Sequence, residues 1–134
     1  MEATLPFPVT ALYAGLLALL FVILAVRIPP LRYKAKSGIG DGDDPALARA
    51  VRVHGNFTEN VPLALIIMAL AEANGLGMWV HALGAPLLLG RIAHAQGLSR
   101  STGPSAMRAI GMGTAWGVIA IGGLICLAQS LRLI

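Results

Sequence analysis

The chain is 134 residues long, enough for one domain, and its 57% hydrophobic content, 12% charged content and mean hydropathy of +0.77 exclude an ordinary water-soluble fold of that size. A formal charge of +4 and a pI near 10 would suit a nucleic-acid binder, but in a chain this apolar they point to basic loops facing anionic lipid, so no nucleic-acid partner is expected. The single cysteine, Cys126, excludes an internal disulfide and is expected to pack as a small hydrophobe; no Cys/His set is spaced to hold a metal.

The first apolar run, Pro8 to Val26, carries no charge and is long enough to cross a hydrocarbon core of about 30 Å at 1.5 Å per residue. The Met1-Glu2-Ala3 start lacks the basic region of a cleaved signal, so this run is read as a retained helix. Arg27-Ile28-Pro29-Pro30 should end or bend it, because proline removes amide donors and restricts the residue before it. A soluble stretch follows from Arg32 to Pro45, with Asp44-Pro45 as cap and first-turn residue of the next helix. The second helix is expected over Ala46 to Ala73, apolar in its second half and polar in its first. Asn74-Gly75-Leu76-Gly77 reads as a turn. A third helix is expected from Met78 to Gly97, then a loop at Ser101 to Ser105, then a fourth helix to Leu131. Gly113 and Gly117 in the last helix have the spacing for close helix contact.

The expected fold is therefore an all-α integral membrane protein, an up-down bundle of four transmembrane helices spanning residues 1–134 as one domain. Nine of the ten Lys and Arg residues flank the first and third loops, so those loops are expected in the cytoplasm and both termini on the opposite side.

Arg49, Arg52, Asn56 and Glu59 are spaced by three, four and three residues and form one helical stripe, roughly 15 Å long. Ionisable groups this deep must face protein, water or a ligand. One reading is an internal Arg52–Glu59 network that ties helices together. The other is a ligand with carboxylates for the arginine forks and an amine for Glu59, a description that glutathione meets, as do other small peptides and zwitterions. Arg91 and His94 share a face of the third helix. Arg108 lies in the first turn of the fourth, where guanidinium and helix dipole together would favour an anion such as a thiolate.

The run Arg49-Ala-Val-Arg-Val-His-Gly-Asn-Phe-Thr-Glu-Asn-Val-Pro62 resembles the signature of the MAPEG family, membrane-associated proteins in eicosanoid and glutathione metabolism. Arg52, Asn56, Glu59 and Pro62 carry the pattern. Gly90-Arg91-Ile92-Ala93-His94-Ala95-Gln96-Gly97-Leu98 extends the likeness, and the Gly-Asp-Gly loop is closest to the small bacterial branch. The resemblance implies a homotrimer in a bacterial inner membrane, with glutathione as cosubstrate between subunits near the cytoplasmic side. Arg49, Arg52, Asn56, Glu59, Arg91 and His94 would bind it, and Arg108 would stabilise its thiolate as the catalytic residue. Arg27 or Arg32 would reach a neighbouring site. Asn60, Gln96 and Leu98 stand where family members carry hydroxyl-bearing side chains, which makes binding more secure than turnover.

The function expected is a glutathione transferase or peroxidase acting on a hydrophobic small-molecule electrophile that enters from the lipid bilayer. The alternatives are a non-catalytic membrane scaffold and a small proton-coupled exporter with Glu59 as its proton site.

Overall fold

The computed structural model describes residues 6–100 and 105–133, the side chains of 98–100 excepted. The start at Met1, the loop from Ser101 to Pro104 and the side chains of Leu98 and Arg100 lie outside the described residues. Everything regular among the described residues is helical: α1 (Pro8–Val26), α2 (Ile28–Ala35), α3 (Pro45–Ala71), a wide turn (Glu72–Leu76), α4 (Gly77–Arg100) and α5 (Ala106–Ser130).

Pro29 and Pro30 do not stop the chain from being helical. They fall in the first turn of α2, where amide donors have no intrahelical partner, so the proline pair bends the chain at Arg27 and then starts a new helix. The stretch expected from Arg32 to Pro45 is thus helical through Ala35, which leaves residues 36–44 outside regular helix. Asp44 caps α3 as its sequence position suggested: its Oδ1 accepts from the Ala46 amide at 2.8 Å and the Leu47 amide at 3.0 Å. Ser105 does the same for α5, its Oγ accepting from the Arg108 amide at 3.3 Å.

Among the described residues, three stretches are long and apolar enough to cross a membrane: Pro8–Ala35, Pro45–Gly97 and Ala106–Ser130. The middle one contains a reversal. Asn74 and Gly75 leave helical geometry, with Gly75 at φ +92°, a conformation open to glycine. Beyond it α4 folds back along α3, so that residues as far apart as Asn56 and Arg91 touch. The helices bury one stripe each (Tyr13, Leu17 and Leu24 on α1; Val53, Phe57, Val61, Ala64 and Met68 on α3; Val80, Leu83 and Leu87 on α4; Ala115 and Val118 on α5) and turn large apolar side chains such as Leu19, Ile66, Leu89 and Leu124 outward. That outward apolar face suits hydrocarbon and not water.

Glycine permits the closest approaches, at positions other than those the spacing suggested. A Cβ at Gly84 would strike the Tyr13 ring, one at Gly90 would strike Thr114, and one at Gly111 would come within 2.6 Å of the Gly90 carbonyl. Gly113 and Gly117 meet nothing within 4 Å in this chain. Cys126 packs half-buried on α5, its thiol directed at the Ile67 carbonyl at 3.6 Å.

Candidate functional site

α3 is amphipathic over its first half only. Its polar side chains there divide between two directions, and the stripe read from sequence is accordingly split. Arg52 and Glu59 face outward; their Nη1 and Oε1 atoms lie 3.4 Å apart and both side chains are more than half exposed in the protomer. They pair along one helix, two turns apart, so within the protomer this pair does not itself tie helices together, as the first of the two readings of the stripe would have it. Arg49, one turn before Arg52, is half-buried.

The level of this pair follows from α1. Phe21 packs on His54 and Phe57, with ring centroids 4.7 and 5.8 Å apart. Glu59, two residues past Phe57 and therefore about 3 Å further along the axis, lies level with the uncharged α1 run that begins at Pro8 but on the opposite side of α3. A carboxylate and a guanidinium on an outward face at that level need cover from something other than lipid.

Asn56 faces inward and is 4% exposed. Its Oδ1 accepts from Arg91 Nη1 at 2.7 Å, and its Nδ2 donates to Met112 Sδ at 3.1 Å, so this one amide joins α3, α4 and α5. Arg91 is 2% exposed and, among the described residues, is the largest fully buried side chain; Nη2 donates to the Gly111 carbonyl, while Nε meets no partner among those residues. It has no carboxylate partner among the described residues. Burial disfavours a lone guanidinium, and two neutral acceptors offset only part of that. Arg91 thus fixes the amide of Asn56 from behind and does not face the open side of α3.

His94 is 5% exposed. Its Nδ1 contacts the Arg108 carbonyl at 3.4 Å, which requires the proton on Nδ1 and leaves Nε2 as a buried acceptor without a partner. Gly97 allows this junction: a Cβ there would crowd Met107, Ser105 and the Arg108 amide at 2.9 to 3.1 Å. The structure therefore brings His94 and Arg108 together at the start of α5, next to Arg91 and Asn56 and on the same end of the molecule as Arg52.

Arg32 is committed locally. Its Nη1 donates to the carbonyls of Gly38 at 3.2 Å and Gly40 at 3.0 Å, which stakes loop one in place. Arg27 instead lines an apolar groove of about 290 Å³ between α1 and α4, with Leu20, Leu24, Ile92, Ala95 and Gln96. Asn60, where the family resemblance led to a hydroxyl, is buried and donates to the Asn56 carbonyl at 2.8 Å.

Sequence reasoning missed Glu72. It is 9% exposed in the turn between α3 and α4. Its Oε1 accepts from the Val9 amide at 2.8 Å and its Oε2 from the Thr10 amide at 2.7 Å. α1 has no capping side chain of its own, since Phe7 cannot accept a bond. A carboxylate from 62 residues away does that work. The only sequence signal was an acidic residue closing an otherwise apolar run.

YecN of Escherichia coli, named an inner membrane protein, is 41% identical to the chain over 90 residues, covering 66% of this chain and 69% of YecN; the same figures hold for strains K12 and CFT073. No solved structure matches. The MAPEG family profile matches residues 10–128, which take in the α3 stripe, the α4 cluster and Arg108, and on that match this membrane protein belongs to the MAPEG family.

Proposed function

We propose that the protein binds glutathione on the outward polar face of α3, between copies of the chain, and delivers its thiolate to a hydrophobic electrophile arriving from the bilayer. The observation that carries this reading is the Arg52–Glu59 pair, ionic, outward-facing and level with the uncharged part of α1. A single protomer leaves the pair against lipid; a second copy with a charged ligand between them gives it partners. The expected assembly is a homotrimer in a bacterial inner membrane, each protomer crossing four times through α1, α3, α4 and α5. Loops one and three would face the cytoplasm and the termini the other side. Gly113 and Gly117, open in the protomer, are available to that contact.

In this arrangement Arg52, with Arg49 behind it, takes ligand carboxylates through its planar fork. Arg91 and Asn56 brace α3 from the inside, behind the ligand. His94 holds the backbone at the start of α5, and Arg108 stands where helix dipole and guanidinium favour a thiolate. The groove beside Arg27 offers an apolar surface to the second substrate. Conjugation forms a carbon–sulfur bond and expels the electrophile's leaving group, with no metal required.

The exporter reading asks for a carboxylate alone in an apolar helix, whereas Glu59 shares its face of α3 with Arg52 and pairs with it. The test is ultraviolet difference absorbance of the thiolate in glutathione added to purified protein at neutral pH. A thiolate signal in the wild type that is lost in Arg108→Ala supports the reading. A wild-type signal no larger than that of free glutathione contradicts the thiolate role.

A further inference from the structure

Loop one, glycine-rich and acidic, is laced by hydrogen bonds of its own. Besides the two Arg32 bonds, Ser37 Oγ donates to the Ile39 carbonyl at 2.8 Å. Asp41 accepts from the Asp44 amide at its carbonyl (3.0 Å) and from the Asp43 amide at Oδ1 (3.2 Å). Gly42 has φ +56°, and a Cβ there would lie 2.7 Å from that of Ser37. The loop is thereby held above α3, and a cavity of about 320 Å³ lies between them, lined by Gly40, Asp41, Ala48, Val51, Arg52 and Gly55. Its α3 residues are spaced three, one and three apart and form one helix face. That face continues to Glu59, with Gly55 midway between the paired charges.

Two properties of this cavity go together. Asp41 and Arg52, of opposite charge, line the same space, and among the described residues they form no ion pair with each other; Arg52 is engaged by Glu59, and Asp41 accepts from the Asp43 amide through Oδ1. The floor between them includes the bare backbone of Gly55, beside Ala48 and Val51. A Cβ at Gly55 would meet nothing within 4 Å, so no packing within the chain requires glycine at a helix-interior position where alanine would be more favourable by about 1 kcal/mol.

We propose that this cavity reads the amine end of a zwitterionic peptide: Asp41 takes the ammonium, Arg52 takes a carboxylate, and the peptide backbone lies against Gly55. The inference rests on the glutathione reading above and deepens it, moving recognition of the amine from Glu59 to loop one. Glu59 then serves to hold the Arg52 guanidinium in place. The staking of loop one by Arg32 sets Asp41 in position before the ligand arrives, which lowers the ordering cost of binding.

Calorimetric titration of glutathione and of N-acetylglutathione, whose amine is blocked, into wild type and the variants Asp41→Asn, Glu59→Gln and Gly55→Leu tests this. The wild type should prefer glutathione by about tenfold, the value of one charge-assisted hydrogen bond. Asp41→Asn should erase that preference by weakening glutathione alone. Glu59→Gln should weaken both peptides equally. Gly55→Leu should lose both with an unchanged melting temperature. An Asp41→Asn protein that keeps the preference, a Glu59→Gln protein that loses it, or a Gly55→Leu protein that binds as well as wild type overturns the inference and leaves the glutathione reading standing. A folded wild type that binds neither peptide overturns both.

Discussion

Arg91 and Asn56, 35 residues apart, meet through a 2.7 Å hydrogen bond from Nη1 to Oδ1 in the buried space between α3, α4 and α5. With no carboxylate at hand among the described residues, the amide oxygen is the side-chain acceptor for a buried positive charge. Asn56→Ala should therefore destabilise the folded protein by about 1–3 kcal/mol, the usual cost of orphaning a buried polar group. A double-mutant cycle with Arg91→Met should give a coupling of about 1–2 kcal/mol, at the upper end of the range for hydrogen bonds inside membrane proteins. Denaturant unfolding in mixed micelles measures both.

Glu72 ties the α3–α4 turn to the start of α1. Glutamine at this position has one acceptor oxygen where glutamate has two, so Glu72→Gln leaves the Val9 or the Thr10 amide without its bond. The expected loss is about 1–2 kcal/mol, with the charge–dipole contribution included. Hydrogen exchange at Val9 and Thr10 should accelerate while exchange in the second half of α1 stays near wild type.

Asp44 confers a pH dependence on the start of α3. The Leu47 amide first, and the Ala46 amide next, hold its carboxyl below the usual carboxylate value. A carboxyl depressed in the folded state stabilises fully above its ordinary unfolded value and loses that stabilisation as pH falls through the lower folded value. Stability should thus decline on acidification below about pH 4. Asp44→Asn, which can still cap without charge, should flatten that part of the curve, as thermal unfolding from pH 3 to 7 would show.

The glycines make a contrasting pair of predictions. Gly111→Ala forces a Cβ against the Gly90 carbonyl and the His94 backbone and should destabilise the chain by about 1–3 kcal/mol. Gly117→Ala, with open space around it, should keep protomer stability or raise it by up to about 1 kcal/mol. Sedimentation of the same two variants then reports whether Gly117 serves contact between copies.

Helix positions were legible because apolar runs and their caps are local: Pro8, Asp44-Pro45 and Ser105 each mark an element boundary with their own side chain or ring. The α2 segment was not, because the same two prolines that end a helix also suit the first turn of another. The stripe was legible as a spacing, but which members face inward was not. Asn56 and Arg52 are four residues apart, about 40° around the axis, and only packing against Arg91 and Met112 turns one inward and leaves the other out. Glu72 and the Asp41–Arg52 cavity depend on contacts between distant segments, which no periodicity encodes.

The central claim is that the outward face of α3 holds glutathione. Calorimetric titration into detergent-purified wild type, Arg52→Ala and Glu59→Gln measures it most directly. Saturable wild-type binding, weakened at least tenfold in both variants while their melting temperatures hold, is the expected result. Wild-type binding that survives unchanged in Arg52→Ala would place the ligand elsewhere and contradict the account.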